Sequence, residues 1–166
     1  MKVAVYPGSF DPITLGHLDI VERAIRLFDE IVIGVAKREE KNPLFSWEER
    51  IELAKKATAN MKGIKVEGFD GLLIEFVRKK GARAVIRGVR AVMDFDYEFQ
   101  MALTNRKLAP EIDTIFFVPS EKYFYLSSSL IRELAYAGRF LPVERREALL
   151  SCFAPKVVVE ALQKKL

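Results

Sequence analysis

One short connection near the start of the sequence collects residues that could bind phosphate. The segment YPGSFDPITLGH at 6–17 holds two glycines, two prolines and the only histidine of the 166-residue chain, His17. Glycine lets a backbone approach a ligand closely, and the helix predicted to begin at His17 would add free N–H groups and the positive end of its dipole. Ser9 adds a hydroxyl. These residue types predict that the imidazole donates to a phosphate; the alternative is a histidine that only packs or caps a helix.

Two arginines offer a second set of phosphate donors. Arg87 and Arg90 flank Gly88 where the fourth predicted strand leaves the sheet. A guanidinium binds phosphate through two parallel hydrogen bonds and keeps its charge at any useful pH. The pair therefore predicts a phosphate clamp. Lys41, in the loop after the second predicted strand, could join the site or be ordinary surface charge, and composition leaves both open.

Three consecutive serines, Ser127 to Ser129, stand at the predicted start of a later helix. An N-cap accounts for one hydroxyl, whereas three hydroxyls with the free amides of a helix start could hold the triphosphate of a nucleotide. In the acidic segment DFDYE, Glu98 could bind a ribose or a base, while Phe95 and Tyr97 are predicted to pack.

The elements that position these groups follow a repeat of strand, loop and helix. Segments predicted to be strands occur at 2–6, 30–36, 64–69, 82–87 and 113–119, and the one at 30–36 is a continuous apolar run. Helical patterns follow them at 17–28, 46–61, 72–80, 94–108 and 128–137, and two further helices broken by Pro155 complete the chain. This order predicts the α/β class, with a doubly wound five-stranded parallel sheet and C-terminal helices. Ligands bind such sheets beyond the carboxyl ends of the strands, so the candidate groups should meet at one edge.

Composition limits the class of protein. Half of the residues are hydrophobic and 30% are charged, which excludes a disordered chain. No apolar run reaches the roughly 20 residues of a membrane-spanning helix, and no secretory signal is evident, so we expect one domain over 1–166 in the cytoplasm. Cys152 is the only cysteine and is predicted to be buried. The net charge of +4 favours anionic partners, phosphorylated small molecules as well as nucleic acid.

Together these segments resemble the phosphopantetheine adenylyltransferases. Thr14-x-Gly16-His17 has the nucleotidyltransferase superfamily form His or Thr, any residue, Gly, His. The resemblance continues, in the family's order and spacing over roughly residues 3 to 138, through YPGSFDPITLGHLDIVERA, KNPLFSWEER, GFDGLL, VIRGVRAVMDFDYEFQMALTNRKLAPE and YLSSSLIRE. It implies a Rossmann-like nucleotidyltransferase fold. It also implies transfer of AMP from ATP to 4′-phosphopantetheine, giving dephospho-coenzyme A and pyrophosphate, with Mg²⁺, in a cytoplasmic homohexamer for which coenzyme A is a further ligand.

The resemblance also implies site residues by position. The implied catalytic residues are His17, Lys41 and Arg90. The implied ATP-binding residues are Ser9, Phe10, His17, Gly88, Val89, Arg90, Glu98, Tyr123, Phe124, Tyr125, Leu126, Ser127, Ser128 and Ser129. The implied substrate-binding residues are Ser9, Lys41, Leu72, Leu73, Arg87 and Asn105. No side chain is expected to form a metal cluster, because Mg²⁺ would sit on phosphates and water.

This chemistry needs donors and no protein nucleophile. A phosphate monoester is anionic at neutral pH and can attack the α-phosphorus of ATP in line, so no general base is required. One alternative is a related nucleotidyltransferase acting on another phosphorylated acceptor, such as nicotinamide mononucleotide or glycerol phosphate. Another is a non-catalytic nucleotide- or RNA-binding module, which the basic pI suggests; the sequence lacks an aromatic and basic strand motif for stacking bases, so we expect no nucleic-acid partner.

Overall fold

Strands and helices alternate along the chain in the computed structural model, which describes residues 1–37, 42–90 and 92–166, with the side chains of 92–94 left aside. The strands of this part are β1 (Val3–Gly8), β2 (Glu30–Ala36), β3 (Ile64–Phe69), β4 (Ala84–Gly88) and β5 (Asp113–Phe117). The helices are α1 (Leu15–Ala24), α2 (Trp47–Ala57), α3 (Leu73–Lys79), α4 (Val92–Leu108), α5 (Ser128–Ala137), α6 (Val143–Ser151) and α7 (Lys156–Lys165). Short 3-10 helices occupy Glu121–Tyr123 and Gly138–Phe140.

The five strands form one parallel sheet in the order β3-β2-β1-β4-β5, which confirms the predicted fold class. Val5 of β1 pairs with Val32 on one side and with Val85 on the other. The chain builds outward from β1 to β3 and then returns to place β4 on the other side of β1. The strand order therefore reverses between β1 and β4, where ligands bind in folds of this kind.

Both faces of the sheet are covered. Ala4, Ile33 and Ile86 belong to a large cluster formed with α1 and the C-terminal helices, while Val5 and Val32 belong to a second cluster with α3. Neighbouring strand residues point to opposite faces, so strands buried on both sides must be apolar throughout. This explains the unbroken apolar runs of β1 and β2.

Two helix starts depend on side-chain caps. Ser46 and Glu49 form the predicted capping box of α2, in which the Ser46 hydroxyl accepts from the Glu49 amide and the Glu49 carboxylate accepts from the Ser46 amide. The predicted start of α1 at His17 is wrong. The helix begins at Leu15 because Thr14 is the N-cap, with its hydroxyl accepting from the His17 amide.

Three side chains are more exposed than predicted. Cys152 is exposed because Leu150 and Ala154 take the inward positions on either side of it, and its thiol donates to the Ala148 carbonyl. Phe95 and Tyr97 of α4 are 41% and 56% exposed. The Phe95 ring still contacts Phe99 and Phe116, with ring centroids 5.6 and 5.7 Å away, so its predicted packing is only partial. Among the helices of the described residues, none is long and apolar enough to cross a membrane.

Candidate functional site

The main cavity of the described residues, about 460 Å³, lies beyond the carboxyl ends of β1 and β4. Its walls are the loop after β1, the end of β4, the middle of α4 and the start of α5. The predicted site residues that line it are Ser9, Phe10, His17, Arg87, Gly88, Arg90, Glu98, Tyr123, Leu126, Ser127, Ser128 and Ser129. The fold thus brings the imidazole, both arginines and the three serines to one edge of the sheet.

His17 both caps helix α1 and lines the cavity, so its role as a cap leaves the predicted donation to a phosphate open. The backbone N–H of Thr14 donates to His17 Nδ1 at 3.0 Å. An Nδ1 that accepts this bond carries no proton, so the neutral ring has its proton on Nε2. His17 can therefore offer a ligand one fixed N–H donor.

Aromatic rings enclose the imidazole. Phe10 lies edge-on to His17 with ring centroids 5.0 Å apart, and Tyr6 lies 6.3 Å from it. Phe10 has a φ of 50°, a left-handed conformation uncommon outside glycine, and a Cβ on Gly8 would lie 3.0 Å from the Phe10 ring. Burial, and then the charge of Arg90, lower the pKa of His17 from 6.5 to about 3. The imidazole is therefore neutral at physiological pH.

The two predicted clamp arginines differ in their partners. Arg87 makes a bidentate ion pair with Glu98 through Nε and Nη2, and its Nη1 donates to the Pro7 carbonyl at 3.2 Å. Although burial alone would lower the pKa of Arg87, the bonds to Glu98 raise it above its usual value. Arg90 donates through Nη1 to the Leu126 carbonyl at 2.6 Å, which ties the end of β4 to the turn before α5.

Each of the three serines has a distinct structural role. Ser127 is the N-cap of α5 and accepts from the Leu130 amide at 3.0 Å. Ser128 donates to the Pro12 carbonyl at 2.8 Å, and Ser129 accepts from Arg132 Nη2 at 3.1 Å. The bond from Ser128 holds the first turn of α5 against the loop after β1, and the free amides of that turn add donors at the cavity.

Sequence reasoning missed two charged residues of this site. Arg132 lines the cavity and donates to the Asp11 carbonyl. The Asp11 carboxylate is buried, accepts from the amides of Leu44 and Phe45 at 2.9 Å each, and lies 3.5 Å from Arg132. The helical spacing of Arg132, three residues after Ser129, could have shown that it shares a helix face with the serines.

The other predicted site residues lie outside the main cavity. Asn105 lines a smaller cavity of about 30 Å³ together with Arg87, Glu98 and parts of α4. Lys41 lies outside the described residues. The predicted residues that line neither cavity are Leu72, Leu73, Val89, Phe124 and Tyr125. Of these, Leu72, Phe124 and Tyr125 are exposed, and the roles assigned to all of them stay predictions.

The arrangement favours binding of anions. His17, Arg90, Arg132 and the start of α5 present hydrogen-bond donors to one space. The carboxylate of Glu98 is paired with Arg87. Fixed donors of this kind stabilise charge that develops on phosphate oxygens in a transition state.

Comparisons with known proteins agree with this chemistry. The cytidylyltransferase-like family model matches residues 5–134. A phosphopantetheine adenylyltransferase from Caldanaerobacter subterraneus is 50% identical over 165 residues, which cover 99% of this chain and 98% of the relative. Another from Thiobacillus denitrificans is 54% identical over 83% of this chain and 86% of the relative.

The fold also recurs among solved structures. The Plasmodium falciparum nicotinic acid mononucleotide adenylyltransferase complexed with NaAD matches with a TM-score of 0.71. That match covers 98% of this chain and 95% of the other at 13% identity, so it supports the fold alone.

Proposed function

The chain belongs to the phosphopantetheine adenylyltransferases, within the cytidylyltransferase-like family, and we propose that the main cavity is where it carries out its reaction. The enzyme transfers the adenylyl group of ATP to 4′-phosphopantetheine and releases pyrophosphate. The observation that carries this conclusion is 50% identity over 99% of the chain. The cavity supports it because the T-x-G-H histidine, Arg90 and the serine-capped helix meet there.

The reaction proceeds by direct in-line attack. A phosphate oxygen of the acceptor forms a bond to the α-phosphorus of ATP, and the bond from that phosphorus to the bridging oxygen breaks. Pyrophosphate leaves with the electron pair, and the product is dephospho-coenzyme A. The barrier lies in bringing two anions together, so positioning and positive potential supply the catalysis.

Three groups act on the ATP side. His17 Nε2–H donates to an oxygen of the α-phosphate, which gains charge as the acceptor attacks. Arg90 lines the cavity at the end of β4 and places its positive charge beside the phosphates. The first-turn amides of α5 bind the departing pyrophosphate, in the way that helix N-termini bind anions. Ser9, Phe10, Gly88, Val89, Glu98 and the segment 123–129 complete this side.

The acceptor lies toward α4. Arg87 and Asn105 share the smaller cavity, which opens beside the main one and supports a role in holding the acceptor. Leu72 and Leu73 contact its pantetheine arm, and Lys41 helps to bring the two phosphates together. Coenzyme A, which carries the same arm, competes for this space.

Magnesium enters with ATP. In the described part of the chain, no three His, Cys, Asp or Glu side chains cluster as metal ligands. The donor set of the cavity is cationic or hydroxylic, and its carboxylate, Glu98, is bound to Arg87. These side chains do not fit a protein-held Mg²⁺ site, so the ion sits on phosphates and water.

The enzyme works as a cytoplasmic homohexamer. Helix α4 supports assembly because large apolar side chains along it remain exposed, namely Phe95, Phe99, Met101, Leu103 and Leu108. Phe95, Phe99 and Leu103 follow one another at four-residue spacing and share one side of the helix, and an exposed apolar stripe of this kind is typical of protein interfaces. The use of ATP as the donor supports the cytoplasm as the site of the reaction.

A pyrophosphate-release assay tests the function. The enzyme is supplied with ATP, Mg²⁺ and one acceptor at a time: 4′-phosphopantetheine, nicotinamide mononucleotide or glycerol phosphate. We expect rapid release only with 4′-phosphopantetheine. Faster release with either other acceptor would assign the chain to a different nucleotidyltransferase reaction, and no release with any would contradict the proposal.

A further inference from the structure

The guanidinium of Arg87 already forms an ion pair within the protein. Its Nε and Nη2 donate to the two oxygens of the Glu98 carboxylate, and Nη1 donates to the Pro7 carbonyl. All three guanidinium nitrogens therefore have partners. The two side chains are only 24% and 13% exposed, so solvent screens their attraction less than that of a surface pair.

This ion pair stands at the boundary of the two cavities. Arg87 and Glu98 both line the main cavity and both line the smaller one. Arg87 comes from β4 and Glu98 from α4, so the pair bridges the two elements between which an acceptor must lie. An anion that binds Arg87 bidentately through Nε and Nη2 has to take the place that the Glu98 carboxylate holds.

We propose that Glu98 is a specificity-determining residue whose carboxylate competes with the acceptor phosphate for the Arg87 guanidinium. This inference rests on the proposed function. A phosphate monoester at neutral pH carries up to two negative charges and three acceptor oxygens, whereas a carboxylate carries one charge and two. The bidentate geometry of the guanidinium suits either anion, so charge and the rest of the ligand decide which one is bound.

The competition gives selectivity because displacing Glu98 is costly. A largely buried carboxylate that loses its partner keeps a charge that water cannot fully solvate. A free phosphate gains only the contact with Arg87. An acceptor with an arm in the smaller cavity gains further contacts, which offset the loss. The ion pair thus weakens the binding of simple anions more than that of 4′-phosphopantetheine.

The decisive variant is Glu98→Gln, which keeps the shape and removes the charge. Calorimetry measures the Kd of 4′-phosphopantetheine, of inorganic phosphate and of pantetheine without phosphate. We expect 4′-phosphopantetheine and inorganic phosphate to bind Glu98→Gln at least fivefold more tightly than the unaltered protein, with the larger gain for inorganic phosphate. Pantetheine should change by less than twofold. If Glu98 were an ordinary substrate-binding residue, its replacement would instead weaken the binding of these ligands.

Three further variants complete the test. Glu98→Gln placed in an Arg87→Gln background should no longer tighten phosphate binding, because the competitor has lost its target. Glu67→Gln removes a carboxylate from a second ion pair, with Lys80, away from both cavities, and should leave every Kd unchanged. Glu98→Ala repeats the test with a shorter side chain, and thermal melting checks that each variant is folded.

Weaker or unchanged phosphate binding in both folded Glu98 variants would overturn the inference. So would equal tightening for pantetheine, or tightening that persists without Arg87. The proposed function fails on a different measurement, pyrophosphate release by the unaltered enzyme with 4′-phosphopantetheine. Binding of inorganic phosphate needs no turnover, so the two failures are distinguishable.

Discussion

The amide of Thr14 donates to Nδ1 of His17 at 3.0 Å, so the bond that closes the cap of α1 also sets the tautomer of the imidazole that faces the cavity. The hydroxyl of the same threonine accepts from the His17 amide. A single residue thereby fixes both the backbone and the ring of His17. Because the donor is oriented before a ligand arrives, no reorganisation is needed when charge develops on the substrate.

Replacing His17 by alanine should lower turnover far more than ATP binding. Loss of one well-placed donor costs about 3 kcal/mol in the barrier, or about a hundredfold in kcat. Pyrophosphate release measures kcat, and calorimetry measures the Kd of ATP, which should change by less than fivefold. Ser46→Ala is the matched control, because it removes the cap of α2 away from the cavity. Unchanged turnover in His17→Ala would remove this residue from the mechanism.

The imidazole of His17 should stay neutral when the folded protein is acidified to about pH 4. Burial and the charge of Arg90 lower its pKa from 6.5 to about 3. Since His17 is the only histidine, its ring ¹⁵N signals can be assigned without ambiguity and should show a proton on Nε2 alone. Titration near pH 6.5 in the folded protein would contradict the enclosed geometry.

The same pKa difference predicts how stability depends on pH. Between about pH 6.5 and about pH 3 the unfolded chain binds a proton at His17 and the folded chain does not. The unfolded state is therefore favoured as the pH falls through this window. Thermal unfolding should show a steeper loss of stability for the unaltered protein than for His17→Gln. Parallel curves for the two proteins would rule the effect out.

Replacing Asp11 by asparagine should destabilise the protein and disturb the site. The carboxylate accepts two backbone N–H bonds, whereas the amide oxygen can replace only one acceptor and the NH₂ group faces a second donor. We expect a loss of about 1–3 kcal/mol in the free energy of unfolding, measured by urea denaturation. Asp29→Asn is the control, since its carboxylate accepts a backbone amide at the exposed Lys2 and should cost under about 0.5 kcal/mol. Equal effects would show that burial of Asp11 is unimportant.

A charge on the exposed face of α4 should prevent assembly. Leu103 is 53% exposed, and Leu103→Lys would place an ammonium in the proposed interface. Light scattering coupled to gel filtration should then show smaller species at micromolar concentration. Leu27→Lys alters an equally exposed leucine, 59%, outside that face and should leave the assembly intact. A hexamer that persists in Leu103→Lys would place the interface elsewhere.

The order of elements could be predicted because its signal is repeated and local. Each buried strand is an unbroken apolar run, and Ser46 with Glu49 marks a helix start by side chains three residues apart. The start of α1 was misplaced because Thr14 was interpreted only as part of a motif, although its hydroxyl is an ordinary N-cap. The exposure of Cys152 depends on which side of α6 meets the core, which neighbouring apolar residues alone do not determine.

The site could be predicted only where the spacing of a motif carries information. His17, Arg90 and the serines stand beside glycines or at element boundaries, which marks them in one sequence. Asp11 and Arg132 are 121 positions apart and come into contact only in the folded domain. In the sequence alone, a single aspartate before a proline indicates no more than a turn. The pairing of Arg87 with Glu98 also depends on tertiary structure. The sequence therefore predicted that Arg87 binds phosphate but did not predict that Glu98 is its partner within the protein.

The bonds between the loop after β1 and α5 join residues far apart in the chain, with 116 positions between Pro12 and Ser128 and 121 between Asp11 and Arg132. A nascent polypeptide that has left the ribosome only as far as β5 can form the sheet but still lacks the cavity wall that the start of α5 provides. The nucleotide-binding cavity is therefore complete only after α5 has been synthesised and has packed against the loop after β1. A truncation that removes α5 would spare most of the strand pairing and abolish the activity.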